Sequence, residues 1–366
     1  MISVVIPTYN EAAVIEETLR RSAAALERSG EEFELIVVDD SSSDGTAELA
    51  ERLAKEFPVR VLRRPGRLGL ATAVIDGWGI ARGDLLAVMD ADLQHPPEAL
   101  SELVKVFRRP GTDLALASRY TNGGGVPQWS LIRRFISWGA TQLASTVLPL
   151  SLADVTDPMS GMFALRKHVL DGVQLSPVGY KILLEVVAKG RYKKFEEVPY
   201  VFVERGRGTS KLGARQYLEY LVHLARLAQS TGQLKSWIRY GAVGLAGAVI
   251  NLLLLQLFVG RLGWHMLLAL PAAIQLALVS NFVWNEVLTF RWQHSGNGLY
   301  RRFLGYELAC ASGAIVNLGV TLIVVDRGVD LIPAAAGGVV AGGLWNFVLN
   351  VPAIWRVWSP RRPSSP

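Results

Sequence analysis

Residues Asp84 to Glu98 read Asp-Leu-Leu-Ala-Val-Met-Asp-Ala-Asp-Leu-Gln-His-Pro-Pro-Glu, a short apolar run that stops at two carboxylates and a carboxamide in alternate positions. Residues two apart on an extended strand share a face, so the spacing predicts that Asp90, Asp92 and Gln94 turn their oxygens to one spot. All-oxygen ligation suits a hard divalent cation, Mg2+ or Mn2+, which keeps its remaining positions for water or phosphate. The plainer alternative is a strand end solvated by Asp90 and Asp92 ahead of a turn at Pro96 and Pro97.

Outward from this stretch, strand and helix patterns alternate. They predict strands at residues 2–6, 33–38, 59–62, 85–89 and 114–117, with helices at 12–28, 46–57, 70–82 and 98–108. Repeated βα units argue for a mostly parallel, twisted sheet covered on both faces, and such sheets bind ligands at the carboxyl ends of their strands. Polar clusters stand at three of those ends: Pro7-Thr-Tyr-Asn-Glu11, Asp39-Asp40-Ser41 and Asp90-Ala91-Asp92. Three separate parts of the chain are therefore expected to line one crevice.

The 366 residues are 50% hydrophobic, more than one small soluble domain carries, and the excess is uneven. Up to about Lys235 charged and apolar segments alternate as in a globular α/β protein; beyond it long charge-free runs take over, which places a domain boundary there. The first apolar stretch is too short for a signal peptide and lacks a basic leader, so it reads as a buried strand. Cys310 is the only cysteine and lies in an apolar run, which excludes a disulfide framework and a cysteine zinc site; the five histidines are scattered without ligand spacing. A net charge of +6 fits a membrane-surface protein and, with no nucleic-acid motif, gives no ground for DNA or RNA binding.

Val4-Val-Ile-Pro-Thr-Tyr-Asn-Glu11, Ile36-Val-Val-Asp-Asp-Ser-Ser-Ser-Asp-Gly-Thr46 and Met89-Asp-Ala-Asp-Leu-Gln-His-Pro-Pro-Glu98, in that order, resemble the inverting family 2 glycosyltransferases of GT-A fold. More narrowly, they resemble the polyprenol-phosphate (dolichol-phosphate) mannosyltransferases. The likeness continues through Ala117-Ser-Arg-Tyr120, Asp157-Pro-Met-Ser-Gly161, Gly179-Tyr-Lys-Ile-Leu-Leu-Glu185 and Glu204-Arg-Gly-Arg-Gly-Thr-Ser-Lys-Leu212, covering essentially all of residues 1–233. It implies an α/β GT-A catalytic domain over residues 1–213, Rossmann-like with a mostly parallel sheet. It also implies that Pro7, Tyr9, Glu11 and Asp40 hold the base and ribose of a nucleotide sugar. Asp90, Ala91 and Asp92 would bracket the ribose and diphosphate, and Asp90, Asp92 and Gln94 would ligate the divalent metal. For Pro7 and Tyr9 a strand-terminating turn with an aromatic lid is the structural alternative.

The second substrate implied by the resemblance, a polyprenyl or dolichyl phosphate, is anionic, and basic residues cluster where the family places it. Arg119, Arg133 and Arg134 are followed much later by Arg205, Arg207 and Lys211. Guanidinium forks bind phosphate bidentately and ammonium acts as a mobile point charge, so both suit an encounter between two phosphorylated partners. For Arg134 and Arg207 a solvated basic loop or a patch for anionic lipid headgroups competes. The implied catalytic residues are Asp92, Arg119, Arg205 and Lys211, with Arg119, Arg133, Arg205 and Lys211 on the acceptor phosphate. A phosphate monoester has a second pKa of about 6 and is already ionised at neutral pH, so a single inverting displacement needs no general base. The closeness of the motifs favours GDP-mannose over UDP-glucose as donor. A non-catalytic carrier or translocator of lipid-linked sugar is the alternative of a different class; Asp92, Gln94, Arg205 and Lys211 speak against it, because a head that only binds has no need of a metal site.

Residues 215–234 place Tyr217, Leu218, Leu221, Val222, Leu224, Ala225 and Ala228 mostly along one helical face, an amphipathic segment over 214–235 suited to a membrane interface. For the apolar run 135–152, packing on the catalytic domain is an equal alternative. Four charge-free runs follow, at 241–260, 266–285, 308–325 and 331–355, each near the roughly 20 residues of a bilayer crossing, with 303–306 extending the third. They predict an all-α domain of four transmembrane helices over 236–358. Lys235, Arg239, Arg291, Arg301, Arg302, Arg356, Arg361 and Arg362 fall on one side and Arg261 and Arg327 on the other, which puts the catalytic domain and both termini in the cytoplasm.

This region is duplicated. Residues 240–251 match 306–317, with Tyr, Gly and Asn at identical spacing, and Asn281-Phe-Val-Trp-Asn285 matches Asn346-Phe-Val-Leu-Asn350. Each copy is a helical hairpin, so the copies are expected to be parallel. The region resembles the GtrA-like four-helix membrane proteins associated with lipid-linked sugars. Asn251, Asn281, Asn317 and Asn346 are expected to bond between helices; lining a path for the sugar-phosphate headgroup is the sharper alternative.

Overall fold

The computed structural model describes residues 1–127, 129–152, 155–203, 214–290 and 298–353. In chain order they form β1 (Ile2–Thr8), α1 (Ile15–Ser29), β2 (Phe33–Asp39), α2 (Thr46–Leu53), β3 (Val59–Arg63), α3 (Leu70–Ile80), β4 (Leu85–Val88), α4 (Ala99–Lys105), β5 (Leu114–Ser118), α5 (Leu131–Val147) and α6 (Pro149–Leu152). Then come β6 (Phe163–Arg166), α7 (Ile182–Lys189), β7 (Phe195–Pro199), α8 (Ala214–Ser230), α9 (Gln233–Leu255), α10 (Met266–Trp284), α11 (Leu299–Asp326) and α12 (Leu331–Ala353). Two compact units result: Met1–Leu143 with Asp154–Leu227, and Ala144–Ala153 with Ala228 onward.

The first unit is built on a seven-stranded sheet of order β3-β2-β1-β4-β6-β5-β7. β1 lies parallel to both β2 and β4, and all its residues are buried, as expected of a Val- and Ile-rich strand covered on two faces. Gly77 of α3 lets that helix close on the sheet, since a Cβ there would overlap the Val5 side chain. The first nine elements fall where the sequence pattern predicts them. β6 and β7 do not appear in that pattern, and β6 runs antiparallel to both β4 and β5, so the sheet is mostly rather than wholly parallel. β7 takes an edge, where Pro199 withholds no needed ladder bond.

In the second unit, the helical stretches Gln233–Arg261, Met266–Thr289 and Leu299–Asp326 are long and apolar enough to cross a bilayer. α9 packs against α10 and α11 against α12. The duplication is visible in this packing. A Cβ on Gly247 would overlap the carboxamide of Asn281, and a Cβ on Gly313 would overlap that of Asn346. Each copy thus seats an Asn against a bare helix backbone at the same repeat position, the close approach that small residues permit between membrane helices. Leu245, Leu252, Ile315 and Leu322 are exposed, as side chains facing hydrocarbon would be.

Candidate active site

Register brings the three polar clusters together. Thr8 of β1 lies opposite Asp39 of β2, Asp40 donates its N–H to Thr8 O at 3.0 Å, and Met89 donates to Val5 O at 3.1 Å. After each of these strands stands one non-glycine residue with left-handed backbone: Asn10 (φ 55°), Ser41 (φ 57°) and Leu93 (φ 59°). Such backbone costs an L-residue about 1–2 kcal/mol and persists where surroundings enforce it. Here they do: Asn10 N donates to Ser42 Oγ (2.8 Å), Ser43 N to Asn10 Oδ1 (3.0 Å), Glu11 N to Thr46 Oγ1 (2.9 Å) and Ala12 N to Asp44 Oδ2 (3.0 Å).

The residues expected on the nucleotide sit in this braced rim. Asp40 is buried and accepts from Arg64 Nη1 at 2.5 Å and from Gly69 N at 2.8 Å. Both its oxygens are engaged, so any base bonded to Asp40 shares it with Arg64. Pro7 is a buried residue of β1, Glu11 is half-buried, and Tyr9 carries the Arg67 guanidinium 4.3 Å above its ring.

Alternation does not place Asp90, Asp92 and Gln94. β4 ends at Val88, and the following residues form a turn in which Leu93 is left-handed and Gln94 N donates to Asp92 Oδ1 at 3.1 Å. An Asx turn, not strand pleating, therefore carries these oxygens. Ala91 is buried and its carbonyl accepts from Thr18 Oγ1 at 2.8 Å, fixing the turn to α1. Asp90 is partly open, and its carboxylate lies where a Cβ on Gly161 would fall, with His95 Nδ1 at 3.7 Å. Burial pushes the His95 imidazole down to about 4, against the opposing charge of Asp92, so His95 is neutral at pH 7. Among the described residues no three His, Cys, Asp or Glu side chains form a closed cation cage. Two half-exposed carboxylates and a carboxamide suit a hard ion that takes its other oxygens from phosphate and water.

On the other side stand the arginines. Arg119 is buried and its fork is bound by fully buried Asp157, Nε to Oδ2 at 2.7 Å and Nη2 to Oδ1 at 2.6 Å. Burial would lower the Arg119 pKa; hydrogen bonding and charge from Asp157 outweigh it and hold it above the ordinary value. Arg133, at the start of α5, lies 4.3 Å above the Trp129 ring, and Arg119 lies 5.2 Å from the same ring. Trp129 meets Phe202 edge to face at 5.2 Å, and Phe202 meets His95 at 5.6 Å. One aromatic bridge thus joins the Asp90 turn to the Arg119 and Arg133 guanidiniums. Arg134 instead donates to the carbonyls of Val126 and Pro127. Arg205, Arg207 and Lys211 lie outside the described residues; Val203 donates its N–H to Gln94 O at 3.1 Å.

Sequence reasoning assigned no role to Asp157, His95 or Lys181. Asp157 and Lys181 fall inside matched motifs, but their partners lie far away in the chain, which a linear pattern cannot show.

The chain matches glycosyl transferase family 2 over residues 3–173 and the GtrA/DPMS transmembrane domain over residues 239–355. A dolichol-phosphate mannosyltransferase of Pyrococcus furiosus is 42% identical over 354 residues, 97% of this chain and 99% of that protein. The Saccharomyces cerevisiae protein of the same name is 37% identical over 236 residues, covering 62% of this chain and 86% of that protein. Among solved structures, glucosyl-3-phosphoglycerate synthase from Mycobacterium tuberculosis, in complex with Mn2+, UDP-glucose and phosphoglyceric acid, shares the fold with a TM-score of 0.50 at 23% identity, over 63% of this chain and 80% of that one.

Proposed function

The chain belongs to the dolichol-phosphate mannosyltransferases of glycosyl transferase family 2, and from that premise we propose that it transfers mannose from GDP-mannose, with inversion, to the phosphate of a membrane polyprenol or dolichol. The observation that carries this reading is the continuous set running from the Asp90 turn through His95, Phe202 and Trp129 to Arg119 and Arg133. It supplies oxygens for a donor at one end and guanidiniums for an anionic acceptor at the other.

Asp40, Pro7, Tyr9 and Glu11 bind the base and ribose; Asp90, Ala91 and Asp92 border the ribose and diphosphate. Asp90, Asp92 and Gln94 would hold a Mg2+ or Mn2+ ion, which when bound supplies positive charge to the leaving diphosphate. Arg133 is preorganised by stacking on Trp129 and receives the acceptor phosphate. Arg119, with its fork spent on Asp157, keeps Nη1 for the ligand and adds a fixed positive charge. Arg205 and Lys211 complete the set. The ionised phosphate oxygen attacks the anomeric carbon as that carbon's bond to the diphosphate oxygen breaks and GDP leaves, so one displacement turns an α-linked donor into a β-linked lipid product.

The domain limits follow the same reading: a catalytic domain at 1–213, an interfacial segment at 214–235 and a membrane domain at 236–358, whose fourth span is α12. α8 buries Tyr220, His223, Leu224 and Leu227 while exposing Tyr217, Leu218, Leu221 and Val222, which leaves a second apolar face for the bilayer surface. α5 exposes Leu131, Ile132, Phe135 and Trp138 beside Arg133, so the same argument extends to its first turns. The bias of Lys and Arg puts the catalytic domain and both termini in the cytoplasm.

Transfer by Asp92→Asn and Gln94→Ala, and by wild type treated with a chelator, tests the donor side. All three should lose at least about 100-fold in rate, the scale expected when a charge-stabilising contact to the leaving group is removed. Undiminished transfer in Asp92→Asn with the fold intact would contradict the assignment.

A further inference from the structure

We propose that Lys181 is a further phosphate-binding residue of this active site, held in position by α8 through His223. The proposal rests on the reading above and adds to it a cation that none of the implied site residues includes.

Lys181 ends the loop that leads into α7, and its Nζ donates to Met159 O at 2.8 Å. Met159 lies between Asp157, which holds Arg119, and Gly161, against which the Asp90 carboxylate sits, so the ammonium on Met159 O stands beside the Asp90 turn and the Arg119–Asp157 pair. Among the described residues no carboxylate lies within ion-pair distance of its ammonium, and one of its three N–H donors is committed, to the Met159 carbonyl. Burial and Arg119 oppose its charge and outweigh the support it has from Asp90 and Asp157. A partly buried ammonium beside a second cation is costly unless an anion arrives to balance it. The anion this site is built to receive is a phosphate, from the donor diphosphate or from the acceptor monoester.

The loop bearing Lys181 is fastened from α8. Val178 N donates to His223 Nδ1 at 3.1 Å, so His223 accepts as the neutral imidazole, and burial lowers its pKa accordingly. Gly179, left-handed at φ 77°, has room for only an ordinary contact between its Cβ position and Glu219 of α8. The residue that follows is Tyr180, whose ring lies 4.7 Å from the Lys181 ammonium. Val178, three residues before Lys181, is thus held by α8, the helix that leads toward the membrane spans. His223 touches no reacting group and serves as a positioning residue.

The experiment measures Lys181→Met, Lys181→Arg, His223→Leu, His223→Asn and the Lys181→Met/His223→Leu pair in the full-length protein. One arm follows lipid labelling with separate variation of nucleotide sugar and polyprenyl phosphate; the other titrates pyrophosphate and inorganic phosphate calorimetrically. Lys181→Met should lower kcat/KM for one substrate about 100-fold and weaken the matching anion, pyrophosphate if the donor is held and phosphate if the acceptor is, while Lys181→Arg retains part of both. His223→Leu should weaken the same anion, His223→Asn, which can accept the Val178 N–H, should restore it, and the pair should be no worse than Lys181→Met alone. Lys181→Met within twofold of wild type in both arms overturns the phosphate role, and losses that add in the pair overturn the positioning by His223. Wild type that binds anions but labels no lipid would instead sink the transferase reading.

Discussion

Asp157 and Arg119 form a buried pair: the backbone N–H of Arg119 and the Nε–Nη2 edge of its guanidinium end on one carboxylate, and both residues are buried. Removing one partner from such a pair leaves an uncompensated buried charge, at a cost of about 3–5 kcal/mol. Asp157→Asn should therefore lower the melting temperature of the catalytic unit measurably and reduce acceptor affinity, because Arg119 then swings freely on its aromatic bed. A thermal melt with intrinsic Trp fluorescence checks the first effect, since Trp129 lies beside Arg119.

Gly161→Ala tests the donor side without touching a charged residue. The new Cβ would overlap the Asp90 carboxylate, which must turn away, whereas no backbone atom is among its nearest neighbours. The expected result is a loss of about 100-fold in transfer with little change in the melt. Equal activity would mean that the position of Asp90 is immaterial.

Leu93 holds a left-handed backbone between Asp92 and Gln94. Leu93→Gly should keep the turn and at least half the activity, while Leu93→Val, branched at Cβ, should lose both stability and activity. Circular dichroism melts and initial rates on the two variants separate backbone from side-chain effects.

Most of the sheet can be read from the sequence because its first five strands are Val-, Ile- and Leu-rich runs ending in turn residues, and all but β3 are almost wholly buried. β6 escapes because it is only Phe163–Arg166 and lacks alternation, and β7 because an edge strand carrying Glu196 and Glu197 and closing in Pro199 does not look like core. The site is legible in its residue types but not in its geometry. Period-two spacing predicts that strand pleating carries Asp90, Asp92 and Gln94, whereas they stand on a turn through left-handed Leu93; and nothing linear shows that Arg119 is bound to Asp157, 38 residues away.

The alkaline limb of the pH profile follows from Lys181. Burial first, and then Arg119, bring its pKa down from 10.5 to about 8, with Asp90 and Asp157 opposing. Its protonated form is the one that balances phosphate, so kcat/KM should be flat from about pH 7, where the acceptor phosphate is ionised, to about pH 8, and fall about tenfold per unit above it. Lys181→Arg should push that limb beyond the measurable range. The stability effect has the opposite sign: between about 8 and 10.5 the unfolded chain binds the proton that the native chain sheds, so this group's contribution rises with pH across that window.

In the membrane unit, Gly342 and Gly343 give a paired test. A Cβ on Gly342 would press on Gly313 O at 2.6 Å and on Asn317 Cβ at 3.0 Å, while one on Gly343 meets nothing within 4 Å. Gly342→Ala should part α11 from α12 and lower the melt in detergent; Gly343→Ala should leave it unchanged or raise it slightly, since Ala suits a helix better than Gly.

Incubating the purified full-length protein with labelled GDP-mannose or UDP-glucose, a short polyprenyl phosphate and Mg2+ or Mn2+, and recording which label enters the lipid phase and in which anomeric form, decides between donors. Mannose from GDP-mannose should appear as a β-linked lipid phosphate, with little transfer from UDP-glucose. Label in the lipid from neither donor, or an α-linked product, would contradict the proposed transfer.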